Sequence, residues 1–445
     1  MLLSGSDING DKIPDIILAN YKFPSSSTVY VIYGTKKGYG SGIDVGTMTS
    51  SQGFRILGVQ LLKNDNLGFL SSGGDVDGDG ISDIVIGASW TNFAQGAVYV
   101  IYGRKGGYTD FDVSAVTSQK GFKITGNGGY FGVAVDSKAD FNGDGIADIF
   151  VGASQFSAAS NFGAGYVIYG QKARGSDFTV STMPSTRGFT IASSTNGFVG
   201  VGVASAGDFN GDKIDDLVIT APAELSDKGN AYAASSNTGA VFIIYGKAGG
   251  DPGDLATSGI PTDRGFLIQG VNSGDLLGGS LASTRDINGD GITEIIIGAQ
   301  GESGNTGAAY VIFGREDQPS PNIDLSMLAP EQGVKISGSA SGDYLSTAVR
   351  DLGDINQDGT PDILIGASGL KQAYVVFGNA WNCDTCSGTT CKKCQSGYDY
   401  TFNGVCYEEC PVSAPYKVGS KCYSGDPTAE EGIPSGLRNI IKKTR

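Results

Sequence analysis

The feature that most constrains this chain is a nine-residue acidic pattern that recurs six times. Its first copy reads Asp7-Ile8-Asn9-Gly10-Asp11-Lys12-Ile13-Pro14-Asp15. Later copies start at Asp75, Asp140, Asp208, Asp286 and Asp354, so successive starts lie 68, 65, 68, 78 and 68 residues apart. A near-constant period of this kind marks a repeat architecture, in which each unit buries its faces against its neighbours. After each acidic pattern comes an apolar, β-branched run such as Ile84-Val85-Ile86-Gly87-Ala88. A Tyr-Val-Ile-Tyr-Gly type run follows at 30–34, 99–103, 166–170, 242–246, 310–314 and 374–378. A longer linker then leads to a short run headed by Gly-Phe, as in Gly53-Phe54, Gly121-Phe122, Gly188-Phe189 and Gly265-Phe266, with Gly333-Val334 in the fifth copy. A small-residue segment such as Gly132-Val133-Ala134-Val135 returns to the next acidic pattern.

Short β-type runs bounded by Gly, Asn, Asp and Ser read as strands, and no segment carries a sustained 3.6-residue apolar stripe. Four strands per repeat predict an all-β fold, a β-propeller of four-stranded antiparallel blades. Six blades are recognisable, with room for a seventh in an intact protein, and a small disulfide-rich tail follows. The expected divisions are a propeller over 1–380, a cysteine-rich module over 381–424 and a flexible polar tail over 425–445.

The acidic pattern itself points to a hard cation. Oxygen-bearing side chains at positions 1, 3, 5 and 9 of a tight turn, with a backbone carbonyl at position 7, suit Ca²⁺, with Mg²⁺ as the runner-up. The candidate ligands are Asp7, Asn9, Asp11, Ile13 and Asp15; Asp75, Asp77, Asp79, Ile81 and Asp83; and Asp140, Asn142, Asp144, Ile146 and Asp148. The remaining loops offer Asp208, Asn210, Asp212, Ile214 and Asp216; Asp286, Asn288, Asp290, Ile292 and Glu294; and Asp354, Asn356, Asp358, Thr360 and Asp362. Ile and Thr enter these sets through their carbonyls. An EF-hand would require Glu at position 12, but Leu18, Ile86, Val151, Ile219, Ile297 and Ile365 stand there. Plain Asn/Asp/Gly turns are the alternative, and six copies with the same ligand positions weigh against it. Lys12 and Lys213 take position 6, where the other loops have glycine, and each adds a positive charge beside its site.

Composition narrows the function classes. The chain of 445 residues has no histidine, which excludes Ser-His-Asp and Cys-His catalysis and every histidine-ligated metal site. Its net charge of −15 excludes a phosphate-neutralising nucleic-acid binder. Six divalent cations would cancel most of that charge. No apolar run is long enough to span a membrane. Met1–Ser6 has no basic stretch followed by an apolar one, so it does not read as a signal peptide.

The turn Leu67-Gly68, with Phe131-Gly132, Val199-Gly200 and Leu277-Gly278, precedes the acidic loops, and Gly87-Ala88-Ser89, Gly152-Ala153-Ser154, Thr220-Ala221-Pro222, Gly298-Ala299-Gln300 and Gly366-Ala367-Ser368 follow them. In combination these elements resemble FG-GAP repeats, which build the β-propeller of integrin α-subunits, over roughly residues 1–380. The resemblance implies Ca²⁺, up to six ions, in the loop between the first and second strands of each blade. Family propellers usually have seven blades and a closing segment before the first repeat, so this chain is expected to be incomplete at its N-terminus. Integrin α-subunits usually have metal loops in only some blades. No Asp-x-Ser-x-Ser motif and no inserted domain is present, so the chain departs from an orthodox integrin partner.

All seven cysteines lie in the tail, spaced Cys383-x2-Cys386-x4-Cys391-x2-Cys394-x11-Cys406-x3-Cys410-x11-Cys422. Two CxxC pairs fit either disulfides or a four-cysteine zinc site, and the four-residue gap between them is short for a zinc ribbon. The tail is similar to furin-like or growth-factor-receptor cysteine-rich repeats, which are extracellular disulfide modules. That resemblance implies the pairs Cys383–Cys391 and Cys386–Cys394. The count is odd, leaving one thiol free or paired between chains.

In a four-stranded meander the 1–2 and 3–4 connections share one face, and the 2–3 and 4–1 connections share the other. The 2–3 connections carry Tyr21, Phe23, Trp90, Phe93, Phe156, Phe162 and Tyr232, so these aromatics form the candidate ligand face, opposite the acidic loops. The expected function is an extracellular or cell-surface calcium-binding propeller that recognises a protein or glycan and is not an enzyme. No nucleic acid is expected as a partner. Any membrane association would run through segments missing from this chain. The alternatives are the non-catalytic propeller of a secreted hydrolase or lyase, phospholipase D-like or glycan-active, and a purely structural surface protein.

Overall fold

The computed structural model describes residues 2–20, 27–40, 42–58, 67–155, 162–193, 198–222, 238–250, 253–316 and 323–378, and six backbone strands between 383 and 423. The chain falls into two compact units, Met1–Gly279 with Glu316–Leu325, and Ser280–Arg315 with Ser326–Arg445.

The first unit holds four successive sheets. The first has strands Leu2–Ser6, Asp15–Asn20, Thr28–Ile32 and Gly53–Leu57, in sequence order and antiparallel. The second repeats this with Leu67–Ser72, Ile84–Ala88, Ala97–Ile101 and Gly121–Thr125. The third has Ala134–Ala139, Asp148–Ala153, Ala164–Ile168 and Gly188–Ala192; the fourth has Gly202–Gly207, Asp216–Ala221, Ala240–Ile244 and Gly265–Gln269. These are the expected blades, and the acidic loops join their first and second strands.

The structure adds a fifth, two-residue strand to each of these sheets. Phe111–Asp112, Phe178–Thr179, Leu255–Ala256 and Ile323–Asp324 pair in parallel with the fourth strand of the preceding repeat. Each comes from the linker between third and fourth strands of the following repeat and covers an otherwise open edge. A single 3-10 turn follows each, as at Val113–Ala115.

The second and third strands explain why the sequence reads there as unbroken apolar runs and not as alternation. Ile84–Ala88, Ala97–Ile101, Asp148–Ala153 and Ala164–Ile168 are buried at every position. The second and third blades pack both faces, so their core lies between blades. One cluster joins Ile17, Val31 and Phe54 of the first blade to Ile86 and Tyr99 of the second. A second joins Val85 and Val100 to Ile149 and Val151, and a third joins Phe150 and Val167 to Leu217 and Ile219. Each fully buried aliphatic side chain contributes about 1.5–3 kcal/mol. Blade approach is close enough to demand glycine. A Cβ on Gly152 would stand 1.9 Å from the Gly200 carbonyl oxygen of the next repeat.

The second unit holds most of the fifth sheet, of strands Leu277–Thr284, Glu294–Ala299, Ala308–Phe313 and Gly333–Ser337, and the sixth, of Leu345–Gly353, Asp362–Ala367 and Gln372–Val376. Ile296 and Val311 pack there with Val349, Ile363 and Ile365. In the cysteine segment, Cys383–Ser387 pairs with Thr390–Cys394. Its register sets Cys383 opposite Cys394 and Cys386 opposite Cys391.

Two 2–3 connections contain a helical turn that the sequence reading did not anticipate, at Thr91–Ala94 and Glu302–Asn305. Both turns contain left-handed residues, Asn92 and Phe93 in the first, Ser303 and Gly304 in the second.

Candidate metal centres

The acidic loops fold by the same local bonds, save that in the fourth Asp208 Oδ1 takes no N–H. In the first, Asp7 accepts the backbone N–H groups of Asp11 at 3.0 Å and Lys12 at 2.7 Å. Asn9 accepts that of Asp11 at 2.9 Å, and Asp11 accepts that of Ile13 at 2.8 Å. Side-chain oxygens that cap nearby backbone N–H groups are the reason Asp and Asn favour such turns. Position 6 needs a left-handed backbone. Glycine supplies it at Gly80 and Gly145, while Lys12 and Lys213 are held at φ of +67° and +71°.

The acid at position 9 differs from the others. Asp15, Asp83, Asp148, Asp216, Glu294 and Asp362 are all 0–1% exposed. One oxygen of each accepts the N–H of loop position 2, from Ile8 at 2.8 Å, Val76 at 2.7 Å, Phe141 at 2.9 Å, Phe209 at 3.0 Å, Ile287 at 2.7 Å and Ile355 at 2.9 Å. In five loops the other oxygen accepts the N–H of the glycine just past the third strand: Gly34, Gly103, Gly170, Gly246 or Gly378. The sequence reading missed these glycines as part of the site. Their signal was the fixed glycine closing each Tyr-Val-Ile-Tyr-Gly run.

Burial and the nearby loop carboxylates raise these acids, and the backbone N–H groups only partly offset the shift. Asp83 and Asp148 are pushed up to about 8 and Glu294 up to about 9; Asp216 is raised as well. Asp77, pressed by burial and by Asp79, is raised to about 6. Arg174, from the third repeat, lies 3.8 Å from Asp77 and opposes that shift.

Two observations test whether these loops suit a cation. Carboxylate oxygens of Asp75, Asp77 and Asp83 lie within 4.8 Å of one another, as do those of Asp286, Asp290 and Glu294. Two oxygens on opposite sides of one Ca²⁺ stand about 5 Å apart, so this spread matches a shared ion. Asp208 Oδ1 and Glu294 Oε1 are also buried without a hydrogen-bond partner. An unpartnered buried acceptor is costly, and a cation is the natural partner for a carboxylate oxygen. In the second loop Asp77 adds an acid where the five other loops carry Asn. The donor set therefore fits a divalent ion.

Contacts between repeats place the connections. Arg104 N–H donates to the Ile8 carbonyl and Gly106 N–H to that of Asn9, so a 1–2 loop meets the 3–4 linker of the next blade. At the 2–3 connection, Trp90 packs edge-on against Tyr130 of a 4–1 connection, with ring centroids 4.9 Å apart. Of the candidate ligand-face aromatics, Phe93 is 89% exposed, Trp90 is 42% exposed and Phe162 is half-buried. Tyr21, Phe23, Phe156 and Tyr232 lie outside the described residues.

The family profile for the FG-GAP repeat matches residues 68–101, 131–168, 199–244 and 277–312, segments that contain the second to fifth acidic loops. The chain is similar to integrin alpha pat-2 of Caenorhabditis elegans, 30% identical over 261 residues, or 54% of this chain and 18% of the relative. It is similar to integrin alpha-V of Gallus gallus, 26% identical over 248 residues, covering 53% and 20% of the two chains. It is also 30% identical over 171 residues to phosphatidylinositol-glycan-specific phospholipase D of Dictyostelium discoideum, covering 36% and 17%. The matched region spans a fifth or less of each of these relatives. On fold, loop geometry and repeat match together, this chain carries an FG-GAP repeat β-propeller of the integrin alpha type.

Proposed function

We propose that the chain is an extracellular calcium-binding propeller that serves as an adhesion or ligand-recognition module. The observation that carries the metal assignment is the convergence of Asp75, Asp77 and Asp83 within 4.8 Å, together with the buried ninth acids. The ions would sit on the side chains at positions 1, 3, 5 and 9 and the carbonyl at position 7, up to six per chain. Each would keep its buried carboxyls charged and pin the first strand to the second. The ligand is a protein or glycan bound by the aromatics of the 2–3 connections, of which Phe93 is the most exposed among the described residues. Integrin naming among the relatives supports a cell-surface protein ligand. No helix among the described residues is long and apolar enough to cross a membrane. The cysteine-rich segment at 381–424 follows as a separate module.

Metal counting on the purified chain tests the first part. Several bound Ca²⁺ per chain, displaced poorly by Mg²⁺, is the expected result; none bound would end the metal reading. For the second part, W90A and F93A should weaken binding to a cell-surface partner, and unchanged binding would refute the ligand face. The phospholipase D relative supports a second reading, in which this propeller is the non-catalytic part of a secreted hydrolase.

A further inference from the structure

Each complete blade sets one fourth-strand residue opposite an aromatic of the third strand. The pairs are Arg55 with Tyr30, Lys123 with Tyr99, Thr190 with Tyr166, Leu267 with Phe242 and Lys335 with Tyr310. In three blades this residue is a cation with a receptor built around it. Arg55 is paired with Asp110 at 2.6 Å. Lys123 lies 5.6 Å from the centroid of the Tyr99 ring. Lys335 lies 5.6 Å from that of Tyr310 and is ion-paired with Glu302. The fourth blade makes the position wholly apolar.

The third blade keeps the receptor and lacks the cation. Asp254 stands just before the short fifth strand, as Asp110 and Asp177 do in their repeats. All three accept the N–H of the fourth-strand residue, from Arg55 at 2.7 Å, Lys123 at 2.8 Å and Thr190 at 2.8 Å. Tyr166 remains in place, 4% exposed, and burial followed by the charge of Asp254 raises its hydroxyl pKa. Thr190 is too short to fill the space of a lysine or arginine stem. A cavity of about 300 Å³ opens there, lined by Tyr166, Thr190, Asp254, Met183, Asn127 and Ser181 among others. Among the described residues no cation is ion-paired with Asp254.

We propose that this cavity binds an external organic cation, a primary ammonium or guanidinium group, in the place that Lys123 fills in the second blade. Asp254 supplies the counter-charge, and the Tyr166 ring with Met183 supplies the wall for the alkyl stem. A carboxylate beside an aromatic face is a recurring receptor for such groups, and the volume lies at the small end of ligand pockets. The group can belong to a free amine or to a lysine or arginine of a protein partner.

Calorimetric titration of the full chain, with Ca²⁺ in excess so that the acidic loops are not the target, tests this. The probes are n-butylammonium, n-butylguanidinium and neutral 1-butanol. Saturable binding of both cations is expected, with a Kd on the order of millimolar for so small a ligand, and at least roughly tenfold weaker binding of butanol. D254N, which keeps an acceptor for the Thr190 N–H, should weaken the cations about tenfold or more. T190K, which installs the lysine of the second blade, should abolish binding by filling the cavity. No saturable cation binding, equal binding of butanol, or undiminished binding by T190K would each overturn the proposal. A lysine peptide binding more tightly than butylammonium would support it with a protein partner as the source; equal affinity would support it with a free amine.

Discussion

Asp83 Oδ1 accepts the backbone N–H of Gly103 at 2.7 Å, which ties the end of an acidic loop to the residues just past the third strand. Its other oxygen accepts the N–H of Val76 at 2.7 Å, closing the loop on itself. The acid read from the sequence as a metal ligand is therefore also a buried clip between two strand connections. The fold and the proposed metal site share this residue, and a chelator would separate their contributions.

That separation is measurable. In chelator, Asp83→Ala leaves two buried N–H groups without an acceptor and should lower stability by about 2–5 kcal/mol. Asp79→Ala, at an exposed position, should cost about 1 kcal/mol or less under the same conditions. Both should lose the calcium-dependent gain of the second loop. Urea unfolding with and without Ca²⁺ checks this, and equal losses in chelator would contradict the clip.

Calcium should stabilise the whole chain. A site that binds only the folded state adds about 2.7 kcal/mol when the ion is at a hundredfold excess over its Kd. Several filled sites should raise the thermal transition with increasing Ca²⁺, and Mg²⁺ should raise it less because it sheds its own waters reluctantly. Melting curves across a calcium titration provide the measurement, and a flat response would mean that the loops act as turns.

Lys213 carries a strained backbone at φ +71° beside its loop. Lys213→Gly relieves a left-handed L-residue costing about 1–2 kcal/mol and gives back about 0.5–1 kcal/mol in unfolded-chain entropy. A net gain of up to about 1 kcal/mol is expected in chelator. Calcium affinity at the fourth loop should also rise, since a positive charge beside the site is lost. Site-resolved calcium titration, with chemical denaturation in chelator, checks both.

Gly152 is a packing residue. Its φ is not left-handed, so an alanine there is not strained by conformation; the Gly200 carbonyl oxygen 1.9 Å from the new Cβ is the obstacle. Gly152→Ala should force the third and fourth blades apart and cost on the order of 3 kcal/mol. A denaturation midpoint that does not move would refute the close approach.

The blades and loops were legible in the sequence because their causes are local. Asp, Asn and Gly at fixed offsets make the turn, and continuous β-branched runs such as Ile84–Ala88 announce strands buried on both faces. The fifth strands were missed because Phe111–Asp112 and its counterparts are too short to show periodicity, though an acid before three of the four was a recurring signal, at Asp110, Asp177 and Asp254. The turn at Thr91–Ala94 was missed because left-handed Asn92 and Phe93 run against the usual preference of L-residues.

The sequence by itself determined the repeat, its strands and the acids of the six loops, since each is encoded within about ten neighbouring residues. Tertiary structure alone decided which acid becomes a buried clip and which stays at the surface. Asp83 meets Gly103 only when the third strand folds back beside the loop. The empty place beside Thr190 likewise exists only because Tyr166 and Asp254, 88 residues apart in the chain, meet across a strand pair. Contacts of that range depend on blade packing, and no local pattern records them.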